Sequence, residues 1–218
     1  YRYERPQSGR NREFTQWGFE CFGSNDVISD AEVISLAYNA YRLLGLDNVC
    51  VRLNTLGDDE SRNNYREALV NYFRPHIDSL CEDCKNRLEK NPLRILDCKV
   101  DAENEIMASS PKILDYLNEE SKARFESLCE LLDLMDINYE VDPRLVRGLD
   151  YYNHTVFEIT LNNSYALGGG GRYNSLVETL GGPSVPGLGF AMGYDRTILA
   201  MEEEGVKIPV NDSIDVYL

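Results

Sequence analysis

The stretch GLDYYNHTVFE, residues 148–158, directly follows Arg147 and joins polar side chains to the alternation of a β-strand. An Asp and two adjacent Tyr come first, and the residues after them alternate so that one face is apolar. The segment fits an amphipathic strand whose tyrosine hydroxyls reach water. It also fits the floor of a pocket that binds a small polar ligand. This pattern alone does not decide between the two interpretations.

The composition is that of a globular protein with a strong negative charge. The 218 residues are 43% hydrophobic and 27% charged, and 37 acidic against 22 basic residues give a net charge of −15. No apolar run approaches the roughly 20 residues that span a bilayer. We therefore expect a cytoplasmic protein without membrane association. A chain this acidic repels nucleic acid on average, so contact with RNA requires a local basic patch.

Six cysteines in a chain without secretory features favour free thiols in a reducing compartment. Cys81 and Cys84 form the sequence CEDC, and Cys98 follows. A zinc site requires a fourth ligand at similar spacing, and the nearby His76 lies upstream without a paired partner. We therefore expect structural or incidental thiols and no protein metal site. Structural or surface roles are also expected for His76 and His154.

The order of predicted elements indicates a largely antiparallel sheet interrupted by helices. Residues 1–23 predict a long hairpin, 30–44 a helix capped by Ser29 or Asp30, and 49–56 a strand. Apolar residues at helical spacing predict an inserted all-helical block over residues 58–132. Strands return after that block. Residues 189–203 predict a closing helix whose small residues let it press against a sheet or an adenine ring.

The glycine-rich segment LGGGGRYNS, which begins at Leu167, is not a phosphate loop of the Walker type. Arg172 and Tyr173 follow the glycines at positions where that loop requires Lys and then Ser or Thr. The glycines instead predict close approach of two backbones, or of a backbone and a small ligand. The arginine-rich hairpin YRYERPQSGRNREF, residues 1–14, supplies guanidinium groups suited to phosphate oxygens and an aromatic face suited to a base.

Taken together and in this order, the segments resemble the histidyl-tRNA synthetase family of class II aminoacyl-tRNA synthetases. The RYER start, its arginine-bearing loop and the strand FTQWGFE resemble motif 2, and GYDR at residues 193–196 resembles motif 3. RGLDYY and GGGRY resemble the two histidine signature peptides, and NPLRILDCK at residues 91–99 resembles part of the insertion domain. The resemblance implies an α+β fold, with a class II antiparallel sheet of six or seven strands flanked by helices and an all-helical insertion domain.

The resemblance also implies how the chain divides into domains. Residues 1–57 would be the first part of the catalytic core, 58–132 the helical insertion, 133–204 the second part of the core, and 205–218 a linker and the first strand of an anticodon-binding domain. Motif 1, which forms the homodimer interface of the family, would precede Tyr1. We therefore expect a fragment of a longer, homodimeric chain.

The family's activity implies a role for each matching residue. Its members activate histidine with ATP, which arrives with Mg²⁺, and transfer it to tRNA(His). Positive groups beside the α-phosphate stabilise the charge that gathers there, and Arg2 and Arg147 match these catalytic arginines. The residues that match ATP contacts are Arg2, Glu4, Arg10, Phe14 and Arg196. The residues that match histidine contacts are Gln16, Glu20, Arg147, Tyr151, Tyr152 and Tyr173.

One alternative stays open at the level of sequence. A regulatory paralogue, the regulatory subunit of ATP phosphoribosyltransferase, keeps the histidine pocket as a sensor and charges no tRNA. The full set of arginines favours catalysis, because a sensor has no need to hold ATP.

Overall fold

The computed structural model describes residues 1–3, 11–148, 151–162 and 165–208, and a six-stranded sheet in the order β1-β6-β5-β4-β2-β3 lies at its centre. Neighbouring strands pair antiparallel except β2 and β3, which run parallel. The predicted α+β fold with a largely antiparallel sheet is confirmed. The strands are β1 (Gln16–Phe22), β2 (Val49–Thr55), β3 (Tyr139–Val141), β4 (Asn153–Leu161), β5 (Tyr165–Arg172) and β6 (Gly187–Gly193).

Helices cover both faces of this sheet. Three short 3-10 turns separate the helices of the central block, at Arg74–Ser79, Pro92–Ile95 and Ile113–Tyr116. None of the helices in the described ranges combines the length and the apolar character needed to cross a lipid bilayer. The helices are α1 (Val27–Leu43), α2 (Asp59–Phe73), α3 (Glu82–Lys90), α4 (Glu105–Ala108), α5 (Glu119–Leu134), α6 (Leu176–Thr179) and α7 (Tyr194–Glu203).

One face of the sheet is apolar and forms the first core with α1, α5 and α7. Alternate residues of the strands point to this face, as the period of two requires. Phe157 and Ile159 of β4 pack there against the stripe that Ile34 and Tyr41 form on α1. All four side chains are fully buried, and burial of each contributes about 1.5–3 kcal/mol. This face anchors the sheet and leaves the opposite face available for a site.

The opposite face of the sheet carries a second core built by the helical block. Tyr65, Leu69 and Phe73 of α2 are buried in it, and Tyr152 and Tyr173 complete it from the sheet side. The domain division given above stays a prediction. Helix α5, which lies at the end of the predicted block, packs on α1 within the first core.

The N-termini of α2 and α5 cap each other. The side chain of Asp58 accepts from Ser61 N (2.8 Å) and that of Asn118 accepts from Ser121 N (2.9 Å). Each serine hydroxyl then accepts from the backbone N–H of the opposite cap residue, at 3.0 and 3.2 Å. Burial alone would raise the pKa of Asp58, but hydrogen bonds from Ser61 and Asn118 outweigh it and lower that pKa. The start and end of the helical block are thereby joined.

Two predicted helices differ from the observed ones in their bounds. Helix α1 begins at Val27, and its N-cap is Asp26, whose side chain accepts from Ile28 N at 3.0 Å. Asp30 is instead buried inside the helix. The predicted helix over 189–203 is wrong in its first part, because residues up to Gly193 form β6. Leu188 and Phe190 alternate with glycines and point into the first core, which is the period of a strand.

The predicted N-terminal hairpin lies partly outside the described residues, which omit 4–10. Its second arm is β1, and residues 1–3 are not in a strand. The backbone N–H of Arg2 donates to the carbonyl of Arg12 at 2.8 Å. The chain before β1 therefore approaches the residues that lead into it.

Candidate active site

A floor of four glycines opens the centre of the sheet on the face opposite the first core. Gly169 and Gly171 lie on β5, Gly187 and Gly189 lie on β6, and Gly171 pairs with Gly189. We call these four residues the glycine floor. Since β-strands place alternate residues on one face, a side chain at any of the four would project into the same space.

The space above the β5 half of the glycine floor is filled by Arg147 and Tyr152. A Cβ added to Gly169 would lie 3.1 Å from Arg147 Nη1, and one added to Gly171 would lie 2.9 Å from Tyr152 Cδ1. Both distances are shorter than ordinary van der Waals contact. The absence of side chains at these two positions therefore allows the guanidinium and the phenol ring to lie directly on the backbone.

Glu20 and Tyr173 fill the space above the β6 half of the glycine floor. A Cβ on Gly189 would overlap the carboxylate of Glu20, and one on Gly187 would overlap the ring of Tyr173. The Tyr173 hydroxyl donates to Glu20 Oε2. Burial, followed by that hydrogen bond to a carboxylate, raises the pKa of the Tyr173 phenol. The glycines were predicted to allow close approach of two backbones or of a backbone and a small ligand, and at these positions the structure places side chains of the predicted site against the backbone.

Three tyrosines form one aromatic wall of this site. The ring centroids of Tyr151 and Tyr152 are 4.7 Å apart, and Tyr173 lies 5.9 Å from the first and 6.4 Å from the second. Burial raises the pKa of Tyr152 to about 12, and the charge of Glu20 acts in the same direction. The charge of Arg147 acts in the opposite direction. Tyr152 covers Gly171 and Glu20 covers Gly189, and these two glycines pair with each other, so the phenol and the carboxylate face the same space.

Arg147 is held over the floor by an acidic partner that the sequence analysis did not identify. Its Nη1 donates to Glu158 Oε1, and both side chains are about three-quarters or more buried. Glu158 lies on β4 opposite Gly169, so the ion pair and the floor position belong to the same place in the sheet. Arg62 Nη1 donates to the carbonyl of Tyr152 at 3.0 Å. The helical block thus contacts the site through α2.

A basic cavity adjoins the pocket on the side of the helical block. Its volume is about 200 Å³, and within the described part of the chain its lining includes five cationic side chains and no carboxylate. Two of the lining residues, Arg147 and Tyr152, also belong to the pocket above the glycine floor. In a chain with a net charge of −15, this is the kind of local basic patch that a polyanion requires. The cationic residues are Arg62, Arg66, Lys90, Arg94 and Arg147.

The remaining predicted site residues lie farther along the sheet or outside the described ranges. Gln16 shares a strand and a face with Glu20, four residues away. The Arg2 guanidinium lies 5.0 Å from the centre of the Phe14 ring. Arg196 lies in the first turn of α7, and its guanidinium donates to the carbonyl of Ala166. Glu4 and Arg10 lie outside the described residues.

A buried ion-pair network holds the end of β5 in place beneath the site. Arg172 and Asp30 are both fully buried, and Arg172 Nη2 donates to Asp30 Oδ2 at 2.7 Å. Arg124 of α5 donates to the same carboxylate oxygen at 2.6 Å. Removal of one partner from a buried pair costs about 3–5 kcal/mol, because a charge is then left without compensation. Arg172 therefore positions its neighbour Tyr173 and takes no place in the pocket.

The two histidines make structural contacts. His154 adopts a φ of 46° at the start of β4, where its backbone exchanges hydrogen bonds with Leu56 and Gly57 after β2. Burial lowers its pKa, and the charges of Arg124 and Arg172 lower it further. His76 lies in a 3-10 turn, with its ring centroid 5.6 Å from that of Tyr72.

Comparisons with known proteins agree with this geometry. A family profile described as histidyl-tRNA synthetase matches residues 1–197. The chain is 54% identical to a histidine–tRNA ligase of Bacillus cytotoxicus and 56% identical to histidine–tRNA ligase 1 of Shouchella clausii. Each alignment covers 100% of this chain but only 53% and 52% of the relative. The chain therefore spans about half the length of the curated relatives it matches.

Comparison with solved structures also finds histidyl-tRNA synthetases, and again this chain covers about half of each. Apo histidyl-tRNA synthetase of Staphylococcus aureus superposes with a TM-score of 0.75 at 43% identity, over 94% of this chain and 51% of that one. A Bacillus halodurans protein described as an ATP phosphoribosyltransferase regulatory subunit/histidyl-tRNA synthetase superposes with a TM-score of 0.58 at 25% identity, over 88% of this chain and 54% of that one.

Proposed function

Since the chain belongs to the histidyl-tRNA synthetase family, we propose that it is the catalytic core of a histidine–tRNA ligase. This enzyme would make histidyl-adenylate from histidine and ATP and then transfer the histidyl group to tRNA(His). The observation that carries the proposal is the convergence of Glu20, Tyr152 and Arg147 above the glycine floor. The carboxylate, phenols and guanidinium there are complementary in charge and hydrogen bonding to the groups of an amino acid substrate.

Recognition of the imidazole ring follows from the hydrogen-bonding capacity of the pocket. Neutral imidazole has one nitrogen that donates and one that accepts. Glu20 supplies an acceptor and Tyr152 a hydroxyl donor, so both nitrogens find partners. Tyr173 already donates to Glu20 and fixes the direction of that carboxylate. An apolar side chain of similar size would leave these polar groups unpaired, which disfavours it by up to roughly 10⁴-fold. Tyr151 and Gln16 would complete the contacts to histidine.

Activation requires positive charge where the carboxylate meets the nucleotide. A histidine carboxylate oxygen attacks the α-phosphorus of ATP, and the bond to the β-phosphate oxygen breaks to release pyrophosphate. Arg147 and Arg2 would stabilise the charge on the α-phosphate oxygens during this step. Phe14 would stack on adenine, while Glu4, Arg10 and Arg196 would hold the rest of ATP. Mg²⁺ would arrive bound to the ATP phosphates.

Transfer requires the 3′ end of tRNA(His) to reach the adenylate. The basic cavity supports this step, because it shares Arg147 and Tyr152 with the pocket and carries cations on the side of the helical block. Phosphates held there would bring the terminal ribose hydroxyl beside the activated carboxyl group. In the whole protein we further propose a homodimer in the cytoplasm.

The second candidate is a histidine-sensing regulatory subunit. The similarity to the Bacillus halodurans protein favours it, because the description of that protein names both functions. The higher identity to chains named histidine–tRNA ligase, 54% and 56%, favours the synthetase. A sensor would bind histidine in the same pocket without activating it.

Histidine-dependent exchange between ATP and pyrophosphate, measured on the full-length protein with each of the twenty amino acids, tests the proposal. We expect exchange with histidine alone. Arg147→Ala should lower its rate at least about 100-fold, and Arg147→Lys should restore little, since an ammonium lacks the planar fork.

Arg144→Ala is the matched control, since Arg144 is exposed in the same segment three residues upstream. It should retain wild-type exchange. Thermal melting of all three variants establishes that they fold. Histidine binding by calorimetry without any exchange would assign the sensor function instead. Unchanged exchange in Arg147→Ala would remove the catalytic role of that arginine.

A further inference from the structure

Three cysteines and one aspartate converge in the helical block, away from the pocket and the basic cavity. The Sγ atoms of Cys81, Cys84 and Cys98 and a carboxylate oxygen of Asp101 all lie within 4.8 Å of one another. The Sγ atoms of Cys81 and Cys98 are 3.6 Å apart, and all three thiols are free. We call these four residues the thiol cluster.

The local fold builds the thiol cluster from two short segments. Cys81 is the N-cap of α3 and Cys84 lies in its first turn, so both thiols sit at the start of one helix. Cys98 follows the 3-10 turn at Pro92–Ile95, and its N–H donates to Ile95 O at 3.0 Å. The backbone N–H of Cys81 donates to Asp101 Oδ2 at 3.1 Å, which ties the second segment to the first.

Burial is ordinary for the cysteines of the thiol cluster but unusual for its aspartate. Cys84 is fully buried, Cys98 is 5% exposed, and the Asp101 carboxylate belongs to a residue only 7% exposed. The described residues give Asp101 no Lys, Arg or His ion-pair partner. A buried carboxylate without a countercharge is costly, and such groups are generally paired with a cation or bound to a metal.

The donor set and its spacing fit a tetrahedral zinc ion. Zinc binds thiolate sulfur at about 2.3 Å in a tetrahedron, which places two sulfurs about 3.8 Å apart. The two segments supply Cys-x₂-Cys and Cys-x₂-Asp pairs, and such short spacings are usual for structural zinc sites. Soft thiolates exclude Mg²⁺ and Ca²⁺, which prefer oxygen ligands. Four protein ligands fill the tetrahedron and leave no open position for a substrate.

We propose that Cys81, Cys84, Cys98 and Asp101 bind one structural Zn²⁺ ion. The ion would fasten the start of α3 to the segment after the 3-10 turn, and it would coordinate the Asp101 carboxylate directly. The three thiols would release their protons to solvent as they bind the ion as thiolates. Helix α3 has only nine residues, so it gains little stability by itself. Its buried residues Cys84 and Leu88 belong to the second core, which also holds Tyr152 and Tyr173. The zinc ion thus stabilises the block that supports the pocket.

The test is the metal content of the full-length protein, purified under reducing conditions with Zn²⁺ in the medium and freed of loosely bound metal. We expect about one zinc per chain. Cys98→Ser should lower zinc content at least about tenfold, since loss even of an outer-shell partner weakens metal binding by about 10- to 100-fold. Cys129→Ser is the matched control, because Cys129 is a free cysteine in α5 outside the thiol cluster. It should keep the wild-type zinc content.

A second readout compares each folded protein with itself, with and without a chelator. A chelator should lower the melting temperature of the wild type and of Cys129→Ser, but should leave that of Cys98→Ser unchanged. Asp101→Asn should fold and bind Co²⁺ more weakly, with thiolate-to-cobalt absorption bands titrated by competition. Wild-type protein that carries almost no zinc after supplementation overturns the proposal. Equal zinc content in Cys98→Ser and Cys129→Ser, or a Cys81–Cys98 disulfide in the reduced preparation by mass spectrometry, does so as well.

Discussion

Each charged group in the pocket lies where a glycine leaves room for it. Glu20 covers Gly189, and Arg147 covers Gly169. This arrangement places a carboxylate and a guanidinium over diagonal positions of the adjacent strands β6 and β5. Arg147 is paired with Glu158 and Glu20 with Tyr173. Each charge therefore has a defined direction in the absence of a ligand, which would limit the reorganisation needed in the proposed reaction.

Gly189→Ala tests whether one methyl group added to the glycine floor reduces the space for histidine. The new Cβ would overlap the Glu20 carboxylate and would lie 2.6 Å from the backbone carbonyl oxygen of Phe19. Movement of the Glu20 side chain alone therefore does not relieve the overlap. We expect histidine affinity to fall roughly 5- to 150-fold, which corresponds to about 1–3 kcal/mol of overpacking. Isothermal titration calorimetry with histidine measures the change.

Gly193→Ala is the control on the same strand and the same face. There the nearest atom to the added Cβ is Arg196 Cβ at 3.5 Å, an ordinary contact. We expect wild-type histidine affinity in this variant. Equal affinity of both alanine variants would mean that the glycine floor does not set the size of the pocket.

Side-chain partners were the hardest feature to predict from the sequence. RGLDYY and GGGRY identified Arg147, Tyr151, Tyr152 and Tyr173 through a family resemblance, and the structure brings these side chains together with Glu20. Glu158 was missed, because its position opposite Gly169 depends on the register of β4 and β5. Asp101 of the proposed zinc site was not predicted, because histidine was the expected fourth ligand and the nearby His76 did not fit.

Among the secondary-structure elements, helices α2 and α5 are joined at their N-termini by the caps that they share. Asn118 accepts from Ser121 N and donates to Asp58 Oδ2 at 2.7 Å, so one side chain serves both helix ends. Ser61 and Ser121 are buried. Their hydroxyls are therefore satisfied within the pair of caps and have little access to water.

Asn118→Ala should cost about 1–2 kcal/mol of unfolding free energy, as expected for loss of an N-cap. In a domain of this size that corresponds to a melting temperature lower by roughly 2–8 °C. Differential scanning calorimetry measures the shift. Asn39→Ala is the control, since Asn39 is exposed in the interior of α1. It should change stability by less than about 0.5 kcal/mol. A similar melting temperature for the two variants would contradict the capping role.

The order of elements was largely predictable, while two of their bounds were not. The strand over 49–56 was predicted from β-branched residues and observed as β2 (Val49–Thr55). The segment GFAMG, residues 189–193, was predicted as the start of a helix, because small residues are compatible with tight helix packing. The apolar residues Leu188, Phe190 and Met192 repeat every second position, and that period produces β6 once β5 and β1 lie on either side.

At the scale of the whole molecule, one sheet separates two cores and the site lies on the boundary of the second. Tyr152 and Tyr173 are members of the second core and also line the pocket. Packing of the helical block and the geometry of the pocket are therefore coupled. A change that loosens the block should displace the tyrosines before it affects the first core.

His154 makes the stability of the whole fold depend on pH. Its pKa is lowered from the ordinary value of 6.5 by burial and by neighbouring guanidinium groups. As the pH falls below about 6.5, the unfolded chain takes up this proton before the folded one. The free energy of unfolding should therefore decrease over the window between that value and the lower pKa of the folded state.

His154→Asn removes this contribution, and asparagine tolerates the positive φ of 46° at this position. We expect the loss of stability between about pH 7.5 and about pH 5.5 to be smaller in the variant than in the wild type. Urea unfolding at several pH values gives the slopes. The variant His76→Asn, at an exposed position, should keep the wild-type slope. A wild-type slope in His154→Asn would show that other groups govern this range.

The joined caps of α2 and α5 bear on how the helical block between them can be gained or lost in evolution. The backbone leaves the sheet after β2 and returns to it through α5 at almost the same point, where Asp58 and Asn118 meet. A brief turn can bridge that gap, so the strand order does not require the intervening residues. A gene can gain, enlarge or lose this block in a single insertion or deletion without rearranging the sheet. Size differences among descendants of the same ancestor should therefore concentrate between these two residues.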